Sequence, residues 1–245
     1  MSKHVAAKAP GERFFLDLSS VKGTKDGPKV ARKENCRLMV DERTRVAFSE
    51  FFATKKGILE STPELLHKMI SKCINVKYIR MDNAGRNKKL QARSESKDWI
   101  LSLEFEYTAR NTTQQNSPDE VKFATIASRG RAMMYRGNMP APIRYQVLPK
   151  VFETAILMGW LVVIEMDGVK KTRYEHFLGR LPKFVNNMRT VGETDTVTTK
   201  SNMTPKLYDK GVTCIFISYS RDHHGDCYEM VDPLTSTVYH TRDVT

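Results

Sequence analysis

The chain has 245 residues, 40% of them apolar and 28% charged, enough length and apolar material for a buried core in a soluble globular protein. Lys+Arg 40 against Asp+Glu 28 leaves a formal net charge of +12, an excess that favours a polyanionic partner, nucleic acid first. The cysteines Cys36, Cys73, Cys214 and Cys227 form no CxxC pair, which argues against a structural zinc site and a disulfide framework and for a reducing interior.

Met1 leads into polar and basic residues, so no signal-peptide core is expected. Residues 1–13, with Pro10 and Gly11, read as a flexible lead-in. RFFLDLSSV (13–21) alternates as a strand, and KGTKDGPK (22–29) is a turn-rich loop. CRLMVDERT (36–44) and RVAFSEFFA (45–53) predict two strands joined by a tight turn. STPELLHKMISKC (61–73) predicts a helix capped by Ser61, with Leu65, Leu66, Met69 and Ile70 on one face. VKYIRMD (76–82) is a further strand whose apolar run suits a sheet covered on both faces. A helix over 87–96 and a strand over 101–109 follow.

Ser117-Pro118 opens a longer helix, in which Phe123, Ile126, Ala127 and Met134 keep helical spacing. Another helix covers 143–159. Its end merges into the most apolar run, AILMGWLVVIEM (155–166), which is too short to span a bilayer. This order predicts an α/β fold, a mixed sheet flanked by helices. From about 161 the pattern turns to short strands and turns, notably GVTCIFISYS and CYEMVDPLTSTVYHTRDV, read as a small β-rich C-terminal extension. The expected organisation is a lead-in over 1–13, a core over 14–160 and the extension over 161–245.

Three acids stand out by position: Asp17 in the first strand, Asp82 at the end of the fourth, and Glu120 in the first turn of the long helix. In sheets with parallel strands, ligand chemistry collects beyond the carboxyl ends of the strands. Carboxylates gathered there repel one another unless protonated or bridged by a cation, and hard oxygen ligands suit Mg²⁺ or Mn²⁺. Each acid also has a structural role open to it. Asp17 suits a strand surface, Asp82-Asn83 an Asx turn, and Glu120 a capping box with Ser117. RDHHGDCYEM (221–230) gathers Asp222, His223, His224, Asp226 and Cys227. Adjacent histidines on a strand project apart, and the segment reads as a hairpin loop rather than a metal site, with Tyr219 and Tyr228 packing the sheet. Lys25, Lys29, Arg32 and Lys33 form a basic loop.

Several blocks, in order, carry a resemblance: FFLDLS, MVDERT, YIRMDNAG, EYTARNTTQQNSPDEVKFATIASRGRAMM, YEHFLGRLP, and the late GVTCIFISYS, YEMVDP and HTRDV. Together they resemble the integrase region of copia-type LTR-retrotransposon polyproteins over nearly the whole chain. The most specific is Gln114-Gln115-Asn116 followed by Glu120. The resemblance implies an RNase-H-like core, a mixed five-stranded sheet with a D,D,E triad of Asp17, Asp82 and Glu120 holding two Mg²⁺ or Mn²⁺ ions. It implies an integrase that trims element DNA 3′ ends and joins them to double-stranded target DNA. It further implies a homo-oligomer without a membrane, intracellular, and in the nucleus at integration. By the same analogy Arg110, Gln115, Asn116, Lys122, Arg129 and Arg131 are DNA-binding residues, and a solvated helix face is the alternative for the basic ones.

The chain departs from the family pattern at Arg86, where a glutamate is usual, and at Ser117-Pro118-Asp119, where a glycine and an apolar pair are common. With no His/Cys module ahead of the core and no reverse transcriptase after it, the expectation is a polyprotein fragment or a degenerate copy. A catalytically inactive DNA-binding remnant is therefore the alternative function. A nuclease acting on RNA–DNA hybrids is a third, disfavoured by the Gln-Gln-Asn block.

Overall fold

The computed structural model describes residues 6–20, 35–96, 102–108, 117–198, 211–220 and 227–244, apart from the side chains of Arg86 and residues 117–119. The chain forms two compact units. The first is drawn from Met1–Lys22, Arg32–Thr125 and Met158–Leu181, the second from Gly23–Ala31, Ile126–Leu157 and Pro182–Thr245.

The first unit is built on a five-stranded sheet. Its strands are β1 (Arg13–Ser20), β2 (Asn35–Asp41), β3 (Ala47–Phe52), β4 (Tyr78–Met81) and β5 (Glu104–Tyr107), in the order β3-β2-β1-β4-β5. The first three form an antiparallel meander, while β4 runs parallel to both β1 and β5. This is the mixed, helix-flanked α/β sheet of the RNase-H-like expectation. Parallel neighbours need a crossover, and α1 (Ile58–Ser71) and α2 (Gly85–Ser94) supply it.

Period-2 alternation sends Phe14, Leu16, Met39, Ile79 and Met81 to one face of the sheet, where they pack with Ile58, Leu66 and Met69 of α1 and Leu90 of α2. Burial of such side chains contributes roughly 1.5–3 kcal/mol each. Helix α1 starts three residues before the predicted Ser61. Its N-cap is Gly57, with no side-chain cap, and buried Ile58 anchors it instead. The inward stripe is Ile58, Thr62, Leu66 and Met69, so Ile70, one residue beyond Met69, turns out to 40% exposure. Ser61 serves the sheet: the buried Arg37 guanidinium donates to Ser61 Oγ and Thr62 Oγ1, both at 2.9 Å, and to Glu50 Oε2. β4 alternates rather than being apolar on both sides, with Ile79 and Met81 buried and Tyr78 and Arg80 half-buried.

Within the 1–13 segment, Ala7–Glu12 is tied down by three carboxylates. Asp41 accepts from the Gly11 amide at 2.7 Å and Glu42 from the Ala7 amide at 2.7 Å. Glu12 accepts from the amides of Lys8 and Ala9 and from Lys77 Nζ at 2.9 Å. The Lys77 bond above all, with those amides, pulls the Glu12 carboxyl down to about 2. A depressed carboxyl stabilises the fold above its ordinary value of 4.5 and loses that contribution as pH falls towards 2. Thermal unfolding followed against pH is expected to show Glu12→Gln less stable at neutrality and flatter through that acid window. An unchanged acid limb would contradict the assignment.

The segment Met158–Leu181 adds the hairpin β6 (Val163–Met166) and β7 (Val169–Thr172) and a short helix, α5 (Arg173–Leu178). A Thr172–Glu175 capping box opens α5 and left-handed Gly179 closes it. Phe177 and Trp160 meet Phe48 at ring distances of 5.7 and 5.1 Å, and Trp160 Nε1–H donates to the Ala47 carbonyl on edge strand β3.

The second unit carries a four-stranded antiparallel sheet, β8 (Thr194–Thr198), β9 (Gly211–Tyr219), β10 (Tyr228–Val231) and β11 (Val238–Thr241), in the order β11-β10-β9-β8. Its core joins Phe216, Ile217, Met230 and Val231 to Ile143, Val147 and Val151 of α4 (Ala141–Trp160) and Met134 of α3 (Ser117–Arg136). β9 and β10 pair out to Tyr219–Tyr228; the expected hairpin loop falls on 221–226, outside the described residues. The Asp222, His223, His224 and Asp226 side chains lie outside the described residues, as do Lys25, Lys29, Arg32 and Lys33. Tyr219 and Tyr228 pack on Phe216 at 5.1 and 5.8 Å, the sheet-packing role expected of them. Among the described residues no helix is long and apolar enough to cross a membrane.

Candidate active site

Asp17 sits in β1, the sheet's central strand, one residue after Leu16, so it projects from the face opposite the α1–α2 core. Leu16 pairs with Met81 in the parallel β1–β4 ladder, and Asp82 follows Met81. The two aspartates therefore occupy the same step, one residue beyond the last paired positions, on neighbouring strands about 4.8 Å apart. In-register residues of parallel strands point to the same side. The pair thus shares one face and one end of the sheet, the carboxyl end of β4. Arg80, two residues before Asp82, is on that same face, and its Nε is buried without an acceptor among the described residues.

Each carboxylate is oriented locally. Asp17 Oδ1 accepts from the Leu18 amide at 2.7 Å and Oδ2 from the Ser19 hydroxyl at 3.0 Å. Asp82 is held by Asn87, whose Nδ2 donates to the Asp82 carbonyl at 3.1 Å and also to its Oδ1. Asn87 is the third residue of α2, 3% exposed, and its amide closes the turn onto the Ala84 carbonyl at 2.9 Å. The turn is not the Asx turn open to Asp82-Asn83: the fixing donor comes from the following helix. Asn83 Oδ1 is buried with no donor among the described residues, an acceptor of the kind a water or cation satisfies.

Glu120 is exposed in the first turn of α3. Among the described residues no three His, Cys, Asp or Glu side chains stand close enough to hold a metal ion. The structure thus brings Asp17 and Asp82 together and leaves Glu120 outside that pair. Two adjacent carboxylates, with the unpartnered Asn83 oxygen one residue further along the chain, are hard-oxygen donors of the kind that Mg²⁺ or Mn²⁺ favours. Arg110, Gln115 and Asn116 lie outside the described residues. Lys122 is half-buried on α3, and Arg129 and Arg131 are exposed there; Arg131 donates to Ser128 Oγ at 3.2 Å.

Asn87 is the site residue that sequence reasoning missed. Its signal was an inward polar position: Asn87, Leu90 and Ser94 make the buried stripe of α2, and a buried amide requires a partner.

No family model matches the chain, and no curated protein matches it significantly. Among solved structures it is similar to a chain of the simian T-cell lymphotropic virus intasome in complex with PP2A regulatory subunit B56 gamma. That match has a TM-score of 0.52 and 11% identity, over 96% of this chain and 77% of the other. The HTLV-2 integrase catalytic core domain in complex with magnesium, dimeric form, aligns at TM-score 0.47 and 16% identity, over 69% of this chain and 98% of that one. At such identities the intasome chain speaks for the fold, which is integrase-like.

Proposed function

We propose that the chain is an integrase of the copia retrotransposon type, a metal-dependent polynucleotidyl transferase that processes element DNA 3′ ends and joins them to target DNA. One observation carries the reading: Asp17 and Asp82 lie side by side at one end of two central parallel strands, in an integrase-like sheet of a chain with net charge +12. Asp17 and Asp82 would hold Mg²⁺ or Mn²⁺, with Glu120 as the third ligand of a two-ion site. Such ions, when bound, polarise phosphoryl oxygens and activate a hydroxyl nucleophile. The chain's own residues do the rest. Ser19, the Leu18 amide and Asn87 fix the carboxylates, and the Lys and Arg excess holds DNA through its phosphates. The reading includes action as a homo-oligomer on double-stranded DNA, in the nucleus at integration.

A second reading, a DNA-binding remnant without catalysis, is favoured by one observation, that Glu120 stands outside the carboxylate pair, and it fits the departure at Arg86 from the pattern of the family the chain resembles. The deciding experiment is disintegration of a branched DNA substrate with Mg²⁺ or Mn²⁺, alongside DNA binding across a salt series. Metal-dependent resolution of the branch supports the integrase. Salt-sensitive binding without turnover in either metal supports the remnant.

A further inference from the structure

We propose that Asn87 is a positioning residue that sets the Asp82 carboxylate for cation binding, an inference resting on the reading of Asp17 and Asp82 as ligands. The Asn87 side chain is almost wholly buried, and its single amide nitrogen reaches both the carbonyl and Oδ1 of Asp82. That fork fixes two things together, the backbone where the chain leaves β4 and the rotation of the carboxylate. With Oδ1 committed to the amide, Oδ2 is the oxygen without a donor among the described residues, and it is the atom presented for a ligand.

The choice of an amide is chemically specific. A carboxylate at 87 would face Asp82 with a like charge. An ammonium there would neutralise Asp82 and oppose a cation. A neutral donor orients Asp82 while preserving its charge, which is what an outer-shell partner of a metal-binding carboxylate does. The position also bears on Arg86, because the donor that supports Asp82 comes from the next residue along.

The test is Mn²⁺ binding by the full chain, read by water-proton relaxation, for the wild type, Asn87→Ala, Asp82→Asn and the double variant, with thermal unfolding of each. Asn87→Ala is expected to weaken Mn²⁺ by about 10–100-fold. The double variant is expected to bind no more weakly than Asp82→Asn, because Asn87 acts through Asp82. Unchanged Mn²⁺ affinity in Asn87→Ala, beside an Asp82-dependent wild type, overturns the inference. So does a further loss in the double variant, which marks a general structural role. If the wild type binds no Mn²⁺, or Asp82→Asn binds it equally well, the Asp17–Asp82 site itself is wrong. Should Asn87→Ala fail to fold, selectively ¹⁵N-labelled wild type gives the answer. The Asn87 side-chain amide resonance is expected to shift with added Mg²⁺, and one that stays fixed at saturation overturns the inference.

Discussion

Under the proposed integrase reading, Asp82→Asn is expected to lower metal-dependent DNA strand transfer by ~10³-fold or more while leaving the chain folded. The loss follows from charge. An amide keeps the shape of Asp82 but removes the anion that a divalent ion needs, and several kcal/mol of transition-state stabilisation depend on that ion. Stability is expected to move by less than about 1 kcal/mol. Asp82 is half-buried outside the β4 ladder, and the asparagine carbonyl oxygen can still accept from Asn87. The change also eases the repulsion between two neighbouring carboxylates in the absence of metal. Branched-DNA resolution and a thermal melt, run on one preparation, check both halves. A variant that melts like the wild type and keeps its activity would remove Asp82 from the reaction. The partner comparison is Glu120→Gln. An equal loss makes Glu120 the third ligand, despite its exposed position on α3. Full activity in that variant means that the third oxygen comes from elsewhere, and the Asn83 side chain is then the first to examine.

Much of this arrangement is legible in the residues because local and long-range signals agree. Alternation in RFFLDLSS locates β1, and the turn over 41–46 is written in Asp41 and Thr44, whose side chains bond each other and the Thr44 amide. The α1 boundary is less legible. Its Ser-x-x-Glu signature at 61–64 looks like a capping box, yet packing of Ile58 pulls the helix three residues earlier and hands Ser61 to Arg37. Tertiary burial overrode a local signal worth ~1 kcal/mol. Helix α5 fails in the opposite sense: its Thr172–Glu175 box is in the sequence, but six residues are too few for a periodic pattern to register.

At the site, the legible part is the pair of aspartates. Asp17 falls midway along the predicted strand 13–21 and Asp82 at the end of the predicted run 76–82, and the parallel ladder's register then sets them side by side. The illegible part depends on where helices settle. Whether Glu120 joins the pair depends on the placement of α3, and no spacing of 38 residues between Asp82 and Glu120 encodes it. Asn87 was hidden for a related reason. Its role exists only when the first turn of α2 folds back beneath Asp82, and the segment GRNKKLQARS offers too little apolar content to announce an inward face.

Gly192→Ala is expected to destabilise the second unit by about 2–5 kcal/mol, the sum of a left-handed backbone penalty and an overpacking penalty. Gly192 has φ +94°, and an added Cβ would lie 2.2 Å from Gly137 Cα and 2.8 Å from its carbonyl oxygen. Both clashing atoms are backbone, so no rotamer change relieves them. The loop cannot swing away cheaply either. The Gly192 amide donates to the Phe216 carbonyl at 3.0 Å, and the Phe216 amide to Glu193 at 2.8 Å, stitching 192–193 to β9 at a fully buried ring. On the other side Gly137 ends α3, held by its own bond to Met133 at 2.9 Å. Gly168→Ala supplies the control. Its φ is +77° but nothing lies within 4 Å of the added methyl, so it bears the conformational penalty alone, about 1–2 kcal/mol. Denaturant unfolding of the two variants should separate by the packing term. Gly137→Ala should cost that packing term without the left-handed one, and pairing it with Gly192→Ala should be non-additive, since both fill one contact. Equal losses for Gly192→Ala and Gly168→Ala would mean that Gly192 and Gly137 are not in contact in solution.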